Sequence, residues 1–171
     1  DMNLEQSLNL ARADNVAFRE IYDSTINRVY SFVLLRVRNK EAALDICQDI
    51  YLSFWKSLPN FTYMSDSHFY SFLFTIARRE IIRARTKIKE TVEFDETFDI
   101  PFEDKVKEDY RVLLSKVQSL KDNERLCIEL RYFQDLKFSE IAETLDISEN
   151  NAKVLHHRAI KKLKESLNIY E

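Results

Sequence analysis

Six basic side chains at helical spacing, Lys153, His156, His157, Arg158, Lys161 and Lys162, follow a short interruption at Asp146-Ile147-Ser148. A helix with such a face can neutralise phosphates and reach base edges when it lies in a major groove. Before the interruption Ile141, Ala142 and Leu145 share one helical face, and after it Ala152, Leu155, Ala159, Leu163 and Leu167 share another. Three residues leave room only for a steep crossing, which is the geometry of a helix-turn-helix. Ser148 is placed to cap the second helix and Ile147 to pack under the turn. Asp146 takes the position that needs a left-handed residue, which Asp tolerates less easily than Gly. Arg158, Lys161 and Lys162 are the expected phosphate anchors. Lys153, Asn151 and His156 lie toward the end that enters the groove, and Ser148 and His157 complete the set. A basic stripe by itself is more often the solvated face of an amphipathic helix; the tight turn ahead of it shifts the balance toward duplex DNA.

A second basic ridge stands in the first half of the chain. From His68 an apolar pattern of Phe69, Phe72, Leu73, Ile76, Ala77 and Ile81 runs into Arg78, Arg79, Arg83, Arg85, Lys87 and Lys89. The loop before it, Asn60 to His68, supplies aromatic and polar types suited to holding an unstacked base, with Asn60, Tyr63 and His68 as candidates. Phe61 fits better as a core residue. For Tyr63 and His68 base capture and core closure are equally compatible with the sequence, and the ridge itself is either a backbone track or a solvated face.

Between these lies a third constellation. Over about 40–58 the residues Ala43, Ile46, Cys47, Ile50, Phe54 and Leu58 point to one side, and Asp45, Gln48 and Asp49 point to the other. Those acidic and amide groups suit a basic partner surface, with Tyr51, Leu52 and Trp55 beside them as apolar anchors. A Trp amid Leu52 and Leu58 also suits a core.

The elements that must position these groups are helices. The 171 residues contain no Gly and two Pro, which removes the usual punctuation of hairpins. An all-α fold is expected, as two small helical domains at 1–89 and 110–171 joined by an acidic linker at 90–109. In the linker Glu93, Asp95, Glu96, Asp99, Glu103 and Asp104 surround Pro101, and its interspersed Val92, Phe94, Phe98, Ile100 and Phe102 suit a tether that docks rather than a free coil. In the first domain helices are expected at about Val16 to Arg38, Lys40 to Leu58 and from His68, with Pro59 forcing an exit from the second. The last domain should hold about four.

Formal net charge is −3, so the basic character is local and unaided DNA binding should be weak. Cys47 and Cys127 sit in apolar helical stretches without partners at ligand spacing and read as buried free thiols. No Gly-rich phosphate loop exists, the three His are not at ligand spacing, and no nucleophile and base pair stands out, so neither a cofactor, a metal nor an enzyme is expected. No apolar run reaches membrane-span length and no signal-peptide pattern opens the chain, which predicts a cytoplasmic protein without membrane insertion.

Three blocks in this order resemble the extracytoplasmic-function sigma factors, the minimal initiation subunits of bacterial RNA polymerase. Asp45-Ile-Cys-Gln-Asp-Ile-Tyr-Leu-Ser-Phe-Trp is similar to the region-two helix that docks on the coiled coil of the polymerase's largest subunit. Phe69-Tyr-Ser-Phe-Leu-Phe-Thr-Ile-Ala-Arg-Arg is similar to the helix that meets the minus-10 element. Leu136 to Ser148, with His157-Arg-Ala, resembles the region-four reader of the minus-35 element. The chain has Asp146 where that family usually has Gly, and Arg79 and Arg83 where it often has Asn and Asp. The resemblance implies polymerase core, through its coiled coil and flap, promoter DNA and an anti-sigma factor as partners. It also implies base capture by the Asn60 to His68 loop and a path for the linker along the RNA exit. A conventional helix-turn-helix regulator acting on duplex operators without polymerase is the alternative, and an adaptor that has lost DNA is a third possibility.

Overall fold

The computed structural model describes residues 3–88 and 108–168, and among them all regular structure is helical. The chain divides into two compact units, Asp1–Asp99 and Ile100–Glu171. The expected acidic linker at 90–109 falls almost wholly outside the described residues.

In the first unit α1 (Leu4–Ala11) packs on α2 (Asn15–Val37), α2 on α3 (Lys40–Ser57), and α4 (Asp66–Ile88) on both α2 and α3. The start of each helix is written in a polar cap. Asn3, Asp14 and Asn39 accept backbone N–H bonds from Gln6, Val16 and Ala42, and the Ser65 hydroxyl accepts one from His68 at the head of α4. Pro59 enters a single 3-10 turn, Leu58–Asn60, that ends the α3 run. The centre of the unit is aromatic: Phe54 is wholly buried, with Phe18, Phe69 and Phe72 around it at centroid distances of 5.9, 5.7 and 6.2 Å. Deleting such a ring costs about 3–5 kcal/mol.

The second unit is built from α5 (Glu108–Ser119), α6 (Asp122–Ile128), α7 (Phe138–Leu145) and α8 (Glu149–Ser166). α6 widens at its end into a π-helical turn, Glu129–Phe133. α6 and α7 both pack on α8, and α5 packs on α6 and α8. Val117, Ile128, Ala159 and Leu163 form one shared core cluster, with Leu113, Leu120 and Ile160 at its edge.

A chain without glycine must reverse direction with other residues. Among the described residues Arg38, Asp135, Asp146 and Asn168 take left-handed backbone, with φ of 52°, 56°, 56° and 55°. Asp and Asn tolerate that region because their short polar side chains bond locally, whereas Arg38 gives up about 1 kcal/mol for the reversal between α2 and α3. Both cysteines are buried and free, and burial pushes Cys47 up to about 12 and Cys127 up to about 11, which keeps them protonated and inert.

Candidate nucleic-acid interface

The turn between α7 and α8 is closed from both sides. Asp146 stands at φ 56° and ψ 50°; its N–H bonds to the Glu143 carbonyl, and the Ile147 N–H reaches back to Ala142 at 3.0 Å, the paired closure of a Schellman motif. One residue later Ser148 is extended and its Oγ accepts from the Asn151 N–H at 3.1 Å. At the other end of α7, Glu140 reaches back to the Lys137 N–H. The crossing of α7 and α8 is thus fixed by local hydrogen bonds before any core contact is counted.

Along α8 the buried positions Ala152, Ala159 and Leu163 leave Asn151, Lys153, His157, Arg158, Lys161 and Lys162 exposed. Arg158 and Lys161 make no ion pair with any described residue, so their charge is available to phosphate. Lys153 meets Glu149 at 2.8 Å, with both side chains about half exposed (52% and 50%), a surface pair of the kind that contributes little and exchanges readily. Two members of the expected set are occupied elsewhere. Lys162 turns onto α6, where its Nζ donates to both oxygens of the buried Glu124 at 2.7 and 2.9 Å, so its first role is to tie α6 to α8 rather than to anchor DNA. His156 is half-buried, with Nε2 2.9 Å from the Tyr132 hydroxyl and its ring edge-on to Phe138 at 5.2 Å. Burial, then the nearby Arg131, then His157 hold its pKa below the ordinary value and favour the neutral ring. Val154, not among the expected residues, is 47% exposed beside Lys153 and could meet a thymine methyl; a search for cations passes over it.

On α4 the ridge is arranged differently. Arg79 and Arg83 are exposed, Arg78 and Arg85 half-buried. Beneath them lies Glu80, only 3% exposed, whose Oε1 accepts from the Ser53 hydroxyl of α3 at 2.9 Å. Arg83 Nη1 donates to the same carboxylate at 3.0 and 3.4 Å, and Arg79 Nε stands 3.9 Å away. Ile82, half exposed between the two arginines, adds an apolar contact.

The loop before α4 is pinned to the body. Phe61 is buried as expected, stacked on His68 at 5.5 Å and 14°, and its carbonyl accepts a hydrogen bond from Arg12. Tyr63 is half-buried and its hydroxyl donates to Asp66 at 2.7 Å, which raises its pKa. His68 keeps a buried Nδ1 without a hydrogen-bond partner. Asn60 and Met64 are exposed on the same loop, Met64 at 74%.

α3 presents Glu41, Leu44, Asp45, Gln48, Asp49 and Leu52 to solvent, an acidic stripe with two apolar points. Tyr51 does not belong to it. Expected as an exposed anchor, it is instead buried (4%), its hydroxyl bonded to Thr25 at 2.8 Å and its ring edge-on to Tyr22, because it shares the inward face of Cys47 and Phe54. That burial pushes its pKa above the usual phenolic range. Trp55 is half-buried, edge-on to Phe18 at 4.7 Å, so it joins the core to the rim of the stripe. Among the described residues there is no group of His, Cys, Asp and Glu able to hold a metal, and no helix is long and apolar enough to cross a membrane.

Comparison with known proteins agrees with this geometry. The Sigma-70 region 2 family model matches residues 21–91, and the Sigma-70 region 4 model matches residues 117–165. The chain is 29% identical over 172 residues to the ECF RNA polymerase sigma factor BldN of Streptomyces coelicolor; the match covers 95% of this chain and 64% of that protein. It is 28% identical over 170 residues to the ECF RNA polymerase sigma factor SigK of Mycobacterium tuberculosis, covering 94% of this chain and 90% of that one. The solved sigma factor RpoE of Bartonella quintana, in complex with the anti-sigma factor NepR, superposes with a TM-score of 0.71 at 19% identity over 90% of this chain and 98% of that one, which speaks for the fold. With both family regions present in order, one holding a helix-turn-helix with an exposed basic face, the chain belongs to the extracytoplasmic-function group of the sigma-70 family.

Proposed function

We propose that the protein is a promoter-specificity initiation factor: it binds RNA polymerase core, recognises minus-35 and minus-10 elements and helps melt the DNA to start transcription. The observation that carries this reading is the pairing, in one chain, of region 2 and region 4 matches with an acidic, apolar-pointed stripe on α3. A regulator of duplex operators would have no need of that stripe. It acts by binding, not as an enzyme, and it works in the cytoplasm beside the polymerase.

Asp45, Gln48, Asp49 and Leu52 are the proposed contacts to the coiled coil of the largest subunit, with Trp55 at the edge and Tyr51 supporting them from inside. Charges at such a rim steer and orient, and Leu44 and Leu52 supply apolar anchors. Arg158 and Lys161 anchor the duplex at the minus-35 element, with Lys153, Asn151 and Val154 nearer the bases and Ser148 holding the helix end. At the minus-10 element Asn60, Tyr63, His68 and the α4 arginines meet the separated strand. Opening costs about 1.4 kcal/mol per base step in stacking, so the loop must offer contacts that only a single strand can use. The domains are proposed as 1–89 and 110–171 with the linker at 90–109, and the structural neighbour solved with an anti-sigma factor supports a regulator of that class.

Transcription from a randomised promoter library by bacterial core enzyme, with and without the purified protein, tests the whole. Enrichment of promoters sharing two elements at fixed spacing is expected. Promoter binding that is equally tight without core would sink the reading in favour of an operator-binding regulator.

A further inference from the structure

Glu80 is a carboxylate placed where a basic ridge would seem to have no use for one. It lies on α4 between Arg79 and Arg83, it is 3% exposed, and it is engaged from three sides by Ser53, Arg83 and Arg79. Burying a carboxylate is costly unless it is paired and hydrogen-bonded, and an apolar residue of similar volume at this position would fill the space at equal or lower cost. Its presence therefore changes the arginines more than it helps the core.

Two consequences follow for Arg83. Its charge is opposed at 3.0 Å by a carboxylate from beneath, so its pull on a phosphate is reduced. Its guanidinium is also tied through Nη1 to both oxygens of that carboxylate, while the side chain stays 62% exposed and its other N–H groups have no partner among the described residues. An arginine in that state is poor at non-specific attraction and good at directional hydrogen bonding.

Resting on the reading of α4 as the minus-10 contact, we propose that Glu80 is a positioning residue for promoter selectivity: through the Ser53–Glu80–Arg83 chain it withdraws Arg83 from phosphate binding and presents it as an oriented donor to a base. Because Ser53 belongs to α3, the donor is set by the helix whose other face carries the proposed polymerase stripe. The two surfaces share one rigid part.

The test uses the full chain assembled with core enzyme, a fluorescein-labelled single-stranded DNA of randomised sequence, and the promoter library. E80Q keeps the shape and the Ser53 contact but releases the Arg83 charge, and E80M fills the site with an apolar side chain. Both should fold with melting temperatures near the parent. In both, the log–log salt dependence of single-strand binding should steepen by about 0.7, one more phosphate neutralised. Discrimination at one or two minus-10 positions should fall roughly five- to tenfold, within the range of a lost bidentate contact. E80D should recover part of that discrimination. The inference is overturned if E80Q and E80M reproduce the parent's salt slope and library profile, or if R83A changes neither. Failure of the parent holoenzyme to select any promoter would instead overturn the functional reading, and the inference with it.

Discussion

The cationic helices of the two units look alike as strings of residues and differ in what lies beneath them. On α8 the exposed Arg158 and Lys161 make no ion pair with any described residue, which leaves their charge intact. On α4 the exposed Arg79 and Arg83 stand over Glu80, a buried acid that takes part of theirs away. The first arrangement suits strong, sequence-indifferent anchoring to duplex phosphate; the second suits weaker, directional contact with a strand already opened. A net charge of −3 fits the proposal that firm promoter binding draws on polymerase as well.

The comparison breaks most visibly at the anchors. R158E/K161E in the holoenzyme should lower affinity for a minus-35 duplex by roughly two orders of magnitude at low salt and flatten the salt dependence by about two contacts. The same reversal at Arg79 and Arg83 should cost less in affinity for a single-stranded minus-10 DNA, since one of those charges is already opposed. Equal losses from the two double variants, read by fluorescence anisotropy across a salt series, would erase the distinction drawn between the helices.

A second cut separates anchoring from architecture within α8. Lys162 holds Glu124, whose side chain is 7% exposed, so K162M leaves a buried carboxylate without its main partner. Loss of about 1–3 kcal/mol of stability is expected, seen as an earlier thermal transition of the full chain, with little change in the salt slope of duplex binding. A slope that drops by a full contact with stability unchanged would return Lys162 to the phosphate set. Smaller again is S148A, which removes the acceptor for the Asn151 N–H and should cost about 1 kcal/mol. Its effect on affinity should follow that of stability, because the cap sets the angle at which α8 is offered.

How much of this could be seen in the residue string depended on how local each signal was. The spans of α2 and α3 follow from an apolar period of 3.6 and from punctuation by Asn39 and Pro59, both within a few residues of the boundary they set, while α4 begins at Asp66, two residues before the His68 at which its apolar pattern resumes. The left-handed Asp146 and the Ser148 cap were legible for the same reason. α1 was not resolved as a separate helix, because eight residues give barely two turns of pattern. The π-helical turn at Glu129–Phe133 carries no distinctive residue type. In the candidate interfaces the failures were all long-range. Tyr51 reads as a rim aromatic until Thr25, 26 positions away, is placed against its hydroxyl, although its spacing from Cys47 and Phe54 already pointed inward. Glu80 and Glu124 carry no local sign of their burial, because burial of a charge depends on a partner from another helix that no window of sequence contains.

The finest discrimination between the two helices is by pH. α8 carries a titrating group in its packing, His156, held neutral by burial, by Arg131 of the π-helical turn and by His157 on its own helix, with Tyr132 and Phe138 against the ring. The histidine of α4, His68, lies at the head of that helix, stacked on Phe61, and not among the exposed arginines. A histidine whose folded pKa lies below the ordinary 6.5 binds fewer protons folded than unfolded in the interval between the two values. Its contribution is therefore intact above about pH 6.5 and declines as pH falls through the window beneath, and the loss ceases to grow below the folded pKa. Calorimetry of the full chain between pH 7.5 and 5 should show a decline that is shallower in H156F, which keeps a ring against Phe138 but cannot take a proton. The half-exposed setting makes the effect small. If the parent and H156F fall in parallel, the ring is not sheltered in solution, and α8 would then be as free at His156 as it is at Arg158.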